Sequence, residues 1–275
     1  MYGLRTVKHM LKILVCVKQV PDVDLVKIDP TTGNLIREGV PSMLNPLDSN
    51  ALEAAVQVKE KYGGKITAIT MGPPMAETVL RECLSCGADE AVLITDRAFK
   101  DADTLATSYS IKAAADMLGS FDLIFCGTET LDGATGQMGA QLAERFGSSQ
   151  ITNTLWIEDV DEIHGIVKAQ RDVEDGVETV KAALPCLFTV EKTNYQQRIP
   201  NFKSKKAARS ASILQFAAGD IQGLDIHKIG AEGSGTIVSR MFLPDSGQTG
   251  MKIDEGSTEK NVAKLINLLS DRGVL

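Results

Sequence analysis

The segment Leu11-Lys12-Ile13-Leu14-Val15-Cys16-Val17 is a short apolar run, and the turn residues Pro21 and Asp22 follow it. Aliphatic runs of this length that end at a turn are typical of buried β-strands. Three later runs have the same character: residues 65–70 (KITAIT), 91–95 (AVLIT) and 121–126 (FDLIFC). The chain therefore opens with a series of predicted buried strands.

Between and after these strands, apolar residues recur at helical spacing. We predict helices at residues 49–61, 76–86, 104–118 and 136–146. Asn50 and Glu53 fit a capping box in the first helix, and Asp103 fits the N-cap of the third. The third helix also carries one apolar row at helical spacing: Leu105, Tyr109, Ala113 and Met117. Alternation of this kind predicts an α/β fold, a doubly wound, mainly parallel sheet with helices on both faces.

The pattern changes after residue 150. Residues 153–160, 164–172 and 177–190 lack helical period and are separated by turn residues, so they predict strands joined by hairpins, as antiparallel additions to the sheet. From residue 193 the chain is polar and basic, and it ends in a helix-like stretch at 258–271. We predict a domain at 1–192 and a C-terminal arm at 193–275 that lies on a partner, with a solvated linker as the alternative.

Composition excludes several classes of function. The 275 residues include 29 Lys and Arg against 36 Asp and Glu, and a net charge of −7 disfavours nucleic acid as a partner. The apolar run at 13–17 is far below the roughly 20 residues that span a bilayer, so we expect no membrane insertion. An odd number of scattered cysteines, five, indicates buried thiols and a cytoplasmic protein.

The loops after the strands are the places to search for a ligand, because open parallel sheets bind ligands at the carboxyl ends of their strands. Gly133, Gly136 and Gly139 recur across one strand-to-helix turn, where small residues expose backbone N–H groups to a phosphate or ribose. A tight turn with a crowded helix start is the alternative. The start of the helix at 104–118 adds hydroxyls that suit an anion but are also ordinary capping groups.

Catalytic side-chain motifs are missing. There is no GxGxxG after a strand, no P-loop, no HExxH and no GxSxG, and the three histidines lie in unrelated segments. We predict no catalytic residue and no metal site.

Several stretches resemble one family in order and spacing. They are ILVCVKQVPD (13–22), LNPLDSNALEAA (44–55), ITMGPP (69–74), GADEAVLITDRAF (87–99), CGTETLDGATGQMGAQLAERFG (126–147) and AQRDVEDGVETV (169–180). Together they resemble the beta subunit of electron-transfer flavoprotein. Phe188 stands where that family usually has an aliphatic residue, which we interpret as a packing variation.

The resemblance implies a heterodimer whose alpha subunit holds a redox-active FAD, while this subunit binds an adenine nucleotide. That nucleotide is structural AMP in one branch of the family and a second FAD in the electron-bifurcating branch. A short loop at 132–135 and the hydroxyl-rich helix start resemble the bifurcating branch, and two helix N-termini suit a pyrophosphate better than one phosphate. The resemblance therefore favours FAD over AMP.

In the bifurcating branch, the flavin takes a hydride from NADH in anaerobic metabolism. One electron goes to ferredoxin and the other, through the alpha-subunit FAD, to a flavin-dependent dehydrogenase of acyl-CoA or lactate type, and the reverse direction is open. Such chemistry belongs to the cofactor and needs no side-chain acid or base. A non-bifurcating beta subunit with AMP and a stand-alone nucleotide-binding sensor of similar fold are the alternatives.

The resemblance also assigns residues. The expected cofactor-binding residues are Cys16, Asn45, Pro46, Leu47, Asp48, Met71, Gly72, Asp103, Thr104, Thr107, Ser108, Gly127, Thr128, Asp132, Gly133, Ala134, Thr135, Gly136, Gln137, Met138 and Gly139. The expected anchors of a loop that docks on the dehydrogenase are Tyr195, Ile199 and Pro200. An edge loop with incidental apolar residues is the alternative to docking.

Overall fold

A computed structural model describes residues 10–22, 27–28, 35–36, 41–192, 195–239 and 250–275. Its strands are β1 Lys12–Cys16, β2 Gln19–Pro21, β3 Lys27–Ile28, β4 Leu35–Ile36, β5 Ser42–Leu44, β6 Lys65–Met71, β7 Glu90–Ile94, β8 Leu123–Gly127, β9 Ser149–Asp161, β10 Ile166–Val173, β11 Gly176–Ala183, β12 Cys186–Val190 and β13 Leu214–Phe216. Its α-helices are α1 Pro46–Tyr62, α2 Glu77–Cys86, α3 Thr104–Asp116, α4 Met138–Phe146, α5 Phe202–Ser210 and α6 Thr258–Asp271.

Nine of these strands form one sheet in the order β11-β10-β9-β12-β8-β1-β6-β7-β13. Every pairing from β9 through to β13 is parallel, whereas β10 pairs antiparallel with both β9 and β11. Two short ladders, β2 with β5 and β3 with β4, lie outside this sheet. The predicted parallel sheet with antiparallel additions is confirmed.

Side chains of the parallel strands alternate between two buried layers, as expected of a sheet covered on both faces. One layer joins Ile13 and Val15 of β1 to α1 and α2, and the other joins Leu14 and Cys16 to α3 and α4. Successive side chains of β1 thus point to opposite faces of the sheet, and each face is covered by a pair of helices.

Two predicted element boundaries are wrong. The first helix begins at Pro46, with Asn45 as its N-cap. Proline suits the first helical position because the N–H of that residue makes no hydrogen bond within the helix, so its absence costs nothing. Asn50 and Glu53 therefore lie inside the helix. The predicted strand at 177–190 is two strands, and the second, β12, is fully buried and inserted between β8 and β9.

The chain beyond residue 192 is more structured than its polar composition suggests. β13 pairs with β7 at the edge of the parallel sheet, and Arg81 of α2 donates to the backbone carbonyls of Ala208 and Arg209 near the end of α5. The compact unit that contains the sheet accordingly extends to Ile237. The second unit, 238–275, contains α6, which begins after its N-cap Ser257 and carries exposed Val262, Leu265 and Ile266 along one side.

Helix α4 packs closely on β12, and we predict that this contact tolerates no added methyl group. A Cβ at Gly139 would overlap the Thr189 Cγ2 atom, so Gly139→Ala should lower the free energy of unfolding by about 1–3 kcal/mol. Urea unfolding measures the change. Gly219→Ala is the control, because nothing lies within 4 Å of a Cβ there. Equal unfolding midpoints for the two variants would contradict the packing.

Candidate functional site

The topological switch point of the sheet lies between β1 and β8. The chain runs from β1 through α1, β6, α2, β7 and α3 before it returns to β8 on the other side of β1. A crevice forms where successive connections leave in opposite directions, at the carboxyl ends of the strands. The loops after β1, β6 and β8 meet at this edge, as the predicted site requires.

A buried carboxylate joins two of these loops. Asp48, in the first turn of α1, is 4% exposed, and its two oxygens accept hydrogen bonds from the Lys18 N–H at 2.8 Å and the Gly127 N–H at 2.9 Å. A Cβ at Gly127 would lie 2.7 Å from the Leu47 Cβ and 2.8 Å from an Asp48 oxygen. Only glycine therefore lets β8 end this close to α1.

Burial raises the pKa of Asp48 to about 7, against the opposing effect of hydrogen bonds from Gly127, Lys18 and Asn45. Burial and the nearby Asp48 also raise the pKa of the Cys16 thiol, which stays protonated at neutral pH. Cys16 is the last residue of β1, and its side chain is buried. A ligand at the sheet edge would therefore contact the backbone of Cys16 and not its sulfur.

Asn45 holds the loop after β8. Its side chain is fully buried, its amide donates to the Glu129 carbonyl at 2.9 Å, and its amide oxygen accepts from the Leu131 N–H at 3.3 Å. The Asn45 N–H in turn donates to the Lys18 carbonyl at 2.9 Å. The side chains of Asn45 and Asp48 are thus engaged with backbone groups, and they shape the predicted adenosine site by fixing its loops.

The loop at 128–137 is exposed and contains two left-handed residues, Ala134 at φ 44° and Gly136 at φ 61°. Lys18 crosses to this loop, and its Nζ lies 2.8 Å from both carboxylate oxygens of Asp132. Partial burial acts to raise the pKa of Asp132, but the Lys18 ammonium holds it below its usual value. Gly133 and Thr135 lie at the exposed tip, and Met138 and Gly139 open α4.

A cavity of about 320 Å³ lies beside this loop, on the side of β12 and β9. Its lining residues are Thr128, Glu129, Gly136, Ala140, Thr152, Asn153, Thr189 and Glu191. The Thr128 Oγ1 atom is buried and has no hydrogen-bond partner among the residues that the structure describes. An unpaired buried hydroxyl costs free energy unless a ligand or water satisfies it, which makes Thr128 a fitting cofactor contact.

The start of α3 is covered by a later segment of the chain. Asp103 caps the helix by accepting from the Ala106 N–H at 3.0 Å, and its other oxygen accepts from the Thr236 N–H and hydroxyl at 2.9 and 3.0 Å. The Asp103 N–H donates to the Ser234 hydroxyl at 2.8 Å. Partial burial opposes the effect, but these hydrogen bonds keep the pKa of Asp103 below its usual value.

The predicted hydroxyls of α3 differ in their surroundings. Thr104 contacts the glycine-rich loop through the Gln137 side chain at 2.9 Å, and Thr107 is half-buried. Ser108 is fully buried, donates to the Leu105 carbonyl at 3.0 Å and accepts from Arg145 at 2.9 Å. The structure therefore brings Thr104 to the loop and assigns the Ser108 hydroxyl to the contact between α3 and α4.

The end of β6 completes the site edge. The Gly72 N–H donates to the Ile94 carbonyl at 3.0 Å, and a Cβ at Gly72 would lie 3.0 Å from the Ala76 Cβ. Met71 is half-buried against the layer that contains Cys16. Both residues lie at the same sheet edge as the loops after β1 and β8.

The three predicted docking residues do not form one exposed group. Tyr195 is 2% exposed, stacks on Trp156 with ring centroids 5.2 Å apart, and accepts from the Ile157 N–H at 2.7 Å. Ile199 is 93% exposed and Pro200 is half-buried. Tyr195 therefore supports the segment from below, and the exposed apolar side chains at its surface are Ile199 and Phe202.

The structural roles of Lys18 and Thr236 were not predicted from the sequence. The sequence did contain an indication for Lys18, because it is the positively charged residue in the loop that directly follows β1. Nothing in the sequence brought Thr236 to Asp103, more than one hundred residues away in the chain.

These features define an α/β protein with a glycine-rich loop at the switch point of its sheet. Residues 32–221 match the electron transfer flavoprotein domain. An electron transfer flavoprotein subunit beta from Thermoanaerobacterium thermosaccharolyticum is 41% identical over 266 residues, which are 96% of this chain and 100% of that protein. The chain belongs to the electron transfer flavoprotein family, and the resemblance seen in its sequence is confirmed.

Two further relatives carry other names. The caffeyl-CoA reductase-Etf complex subunit CarD from Acetobacterium woodii is 41% identical over 267 residues, covering 96% of this chain and 100% of that protein. Protein FixA from Bradyrhizobium diazoefficiens is 43% identical over 236 residues, covering 84% of this chain and 82% of that protein.

The described part of the chain lacks two kinds of feature. No group of three or more His, Cys, Asp or Glu side chains there is placed to hold a metal ion. No described helix combines the length and the apolar character needed to cross a bilayer.

Asp48 should make stability depend on pH. Its carboxyl is protonated in the folded chain at pH values where the unfolded chain has already ionised it, so rising pH disfavours folding between about pH 4 and 7. Relative to Asp48→Asn, the wild-type free energy of unfolding should fall by up to about 4 kcal/mol across that window. Urea unfolding of both proteins at several pH values tests this. Parallel pH profiles would show that Asp48 titrates normally.

Proposed function

We propose that this chain is the beta subunit of a heterodimeric electron-transfer flavoprotein and that it holds FAD at the carboxyl ends of β1 and β8. The observation that carries the proposal is the exposed loop at 128–137, whose left-handed residues sit beside the switch point. The Asn45 side chain fixes the backbone of this loop by a hydrogen bond to the Glu129 carbonyl, and Asp48 accepts a hydrogen bond from the Gly127 N–H. A preorganised glycine-rich loop suits a nucleotide phosphate.

The chain's own residues would bind and orient the cofactor. Backbone groups of Gly133, Thr135 and Gly136 would meet phosphate and ribose, and the Thr128 hydroxyl would gain the partner that it lacks within the protein. Thr104 and Thr107 at the start of α3 would serve the second phosphate. The carbonyl edge of β6, at Met71 and Gly72, would line the adenine. None of these residues acts as an acid or base.

A bound FAD would supply the redox step, accepting hydride from NADH and dividing its electrons between ferredoxin and the alpha-subunit flavin. The partner dehydrogenase that we favour is of the acyl-CoA type. A relative identical at 41% of positions is named as a subunit of a complex between caffeyl-CoA reductase and an electron-transfer flavoprotein. A lactate dehydrogenase of the flavin type is the other candidate partner.

Two segments would make contacts in the assembly. Ile199 and Pro200 would anchor the dehydrogenase, next to a basic helix, α5. The unit at 238–275 would form the arm that packs on the alpha subunit, because α6 presents exposed Val262, Leu265 and Ile266 along one side. The complex would be cytoplasmic, where thiols such as the five free cysteines stay reduced.

Structural AMP is the second candidate ligand, and one observation favours it. The Ser108 hydroxyl is fully buried and bonded to Arg145, and the segment at 234–236 covers Asp103, so α3 offers fewer free donors than a pyrophosphate would use. A stand-alone nucleotide sensor is supported less, since two of the relatives are named as subunits of larger assemblies.

The nucleotide content of the purified heterodimer tests the function. We expect two FAD per heterodimer after acid release, quantified by absorbance and chromatography, because each subunit would hold one. One FAD together with one AMP would support the alternative and remove the bifurcating role.

A hydroxyl variant tests the site of the second phosphate. Thr107→Val removes a donor from the first turns of α3 at nearly constant volume, and we expect FAD occupancy of this subunit to fall several-fold while AMP binding is retained. Thr179→Val, on the exposed strand β11, is the control. Full FAD occupancy in the Thr107 variant would refute the pyrophosphate assignment.

A further inference from the structure

Lys18 provides the positive charge at the mouth of the candidate site. In the loops at 17–22, 72–76 and 128–137 and in the 45–48 segment, all of which the structure describes, it is the only lysine or arginine. The same stretches carry Asp22, Asp48, Glu129 and Asp132. A phosphate that enters this acidic surrounding needs a cation, and Lys18 is the one that these loops supply.

The backbone of Lys18 is held in place on both sides. Its N–H donates to Asp48 at 2.8 Å, and its carbonyl accepts from the Asn45 N–H at 2.9 Å. The side chain leaves this fixed point, spans the crevice between the loops after β1 and β8, and reaches Asp132. The position of the ammonium is therefore set by the same contacts that set the site.

The pair between Lys18 and Asp132 is easily exchanged. Its side chains are 46% and 31% exposed, and ion pairs exposed to this degree contribute little net stability. A phosphate close to the 128–137 loop would compete for the same ammonium. Release of Asp132 would leave its carboxylate free to accept from ribose hydroxyl groups, a role that acidic side chains play in other dinucleotide sites.

We propose that Lys18 binds a phosphate group of the adenine nucleotide by exchanging Asp132 for that phosphate. This inference rests on the proposed nucleotide site and adds to it a residue that discriminates phosphorylated from unphosphorylated ligands. Adenosine, which lacks a phosphate, would leave the ion pair intact.

The test compares AMP, ADP and adenosine on the full chain after its bound nucleotide is removed, with dissociation constants measured by calorimetry. Lys18→Met keeps the length of the side chain and removes its charge. We expect AMP and ADP to bind about tenfold to a hundredfold more weakly, as for the loss of one charge-assisted hydrogen bond, while adenosine binding is unchanged. Lys18→Arg should restore most of the AMP affinity.

The matched control is Lys65→Met. Lys65 forms an ion pair of similar exposure, 2.6 Å from Glu90, but it lies at the opposite end of β6 and should leave all three affinities unchanged. Asp132→Asn gives an independent readout with Lys18 intact. Without a competing carboxylate, the ratio of the adenosine to the AMP dissociation constant should rise above that of the wild type.

The outcomes separate the two proposals. If the wild type binds AMP and Lys18→Met keeps the wild-type ratio of adenosine to AMP affinity, the role of Lys18 is overturned and the nucleotide site stands. If the wild type binds none of the three ligands, the nucleotide site fails and this inference fails with it.

Discussion

The buried carboxylate of Asp48 is the contact on which the ligand edge of the sheet depends. It accepts from Lys18 after β1 and from Gly127 at the end of β8, the two strands that flank the switch point. A carboxylate in this position costs desolvation, which is why burial raises its pKa so strongly. The cost is offset because one side chain holds the loop after β1 and the end of β8 to the start of α1, and the glycine-rich loop at 128–137 follows directly from that fixed edge.

The same edge fits the proposed role of the chain in flavin-based electron transfer. A flavin carries its own reactivity, so the polypeptide needs only to hold, orient and shield it. Asn45 and Asp48 fix the loops at this edge. The loop at 128–137 contains the left-handed residues Ala134 and Gly136, and the Lys18 side chain contacts it at Asp132. The backbone contacts and the positive charge thus come from different side chains of one short sheet edge.

Periodic and strongly apolar features were predictable from the sequence, and long-range contacts were not. Local pattern predicted the strands around β1, the glycine-rich loop and every described α-helix except α5. The stretch 177–190 was predicted as one strand because it lacks helical period, and only the sheet shows that its second half is a separate strand, β12, buried in the centre. Leu105 and Met117, the two ends of the predicted apolar row, are exposed, whereas the small residues Ala106 and Ala114 of α3 are buried. Tyr195 and Ser108 were assigned from the family resemblance, whereas their burial depends on partners distant in the chain.

Hydrogen–deuterium exchange of the full chain with and without FAD is the most direct measure of where the nucleotide binds. Binding at the switch point predicts slower exchange in peptides that cover residues 16–18, 45–48 and 128–137, with the hairpin of β10 and β11 unchanged. Protection confined to that hairpin or to α5, with the three loops unaffected, would place the ligand elsewhere and contradict the site described above.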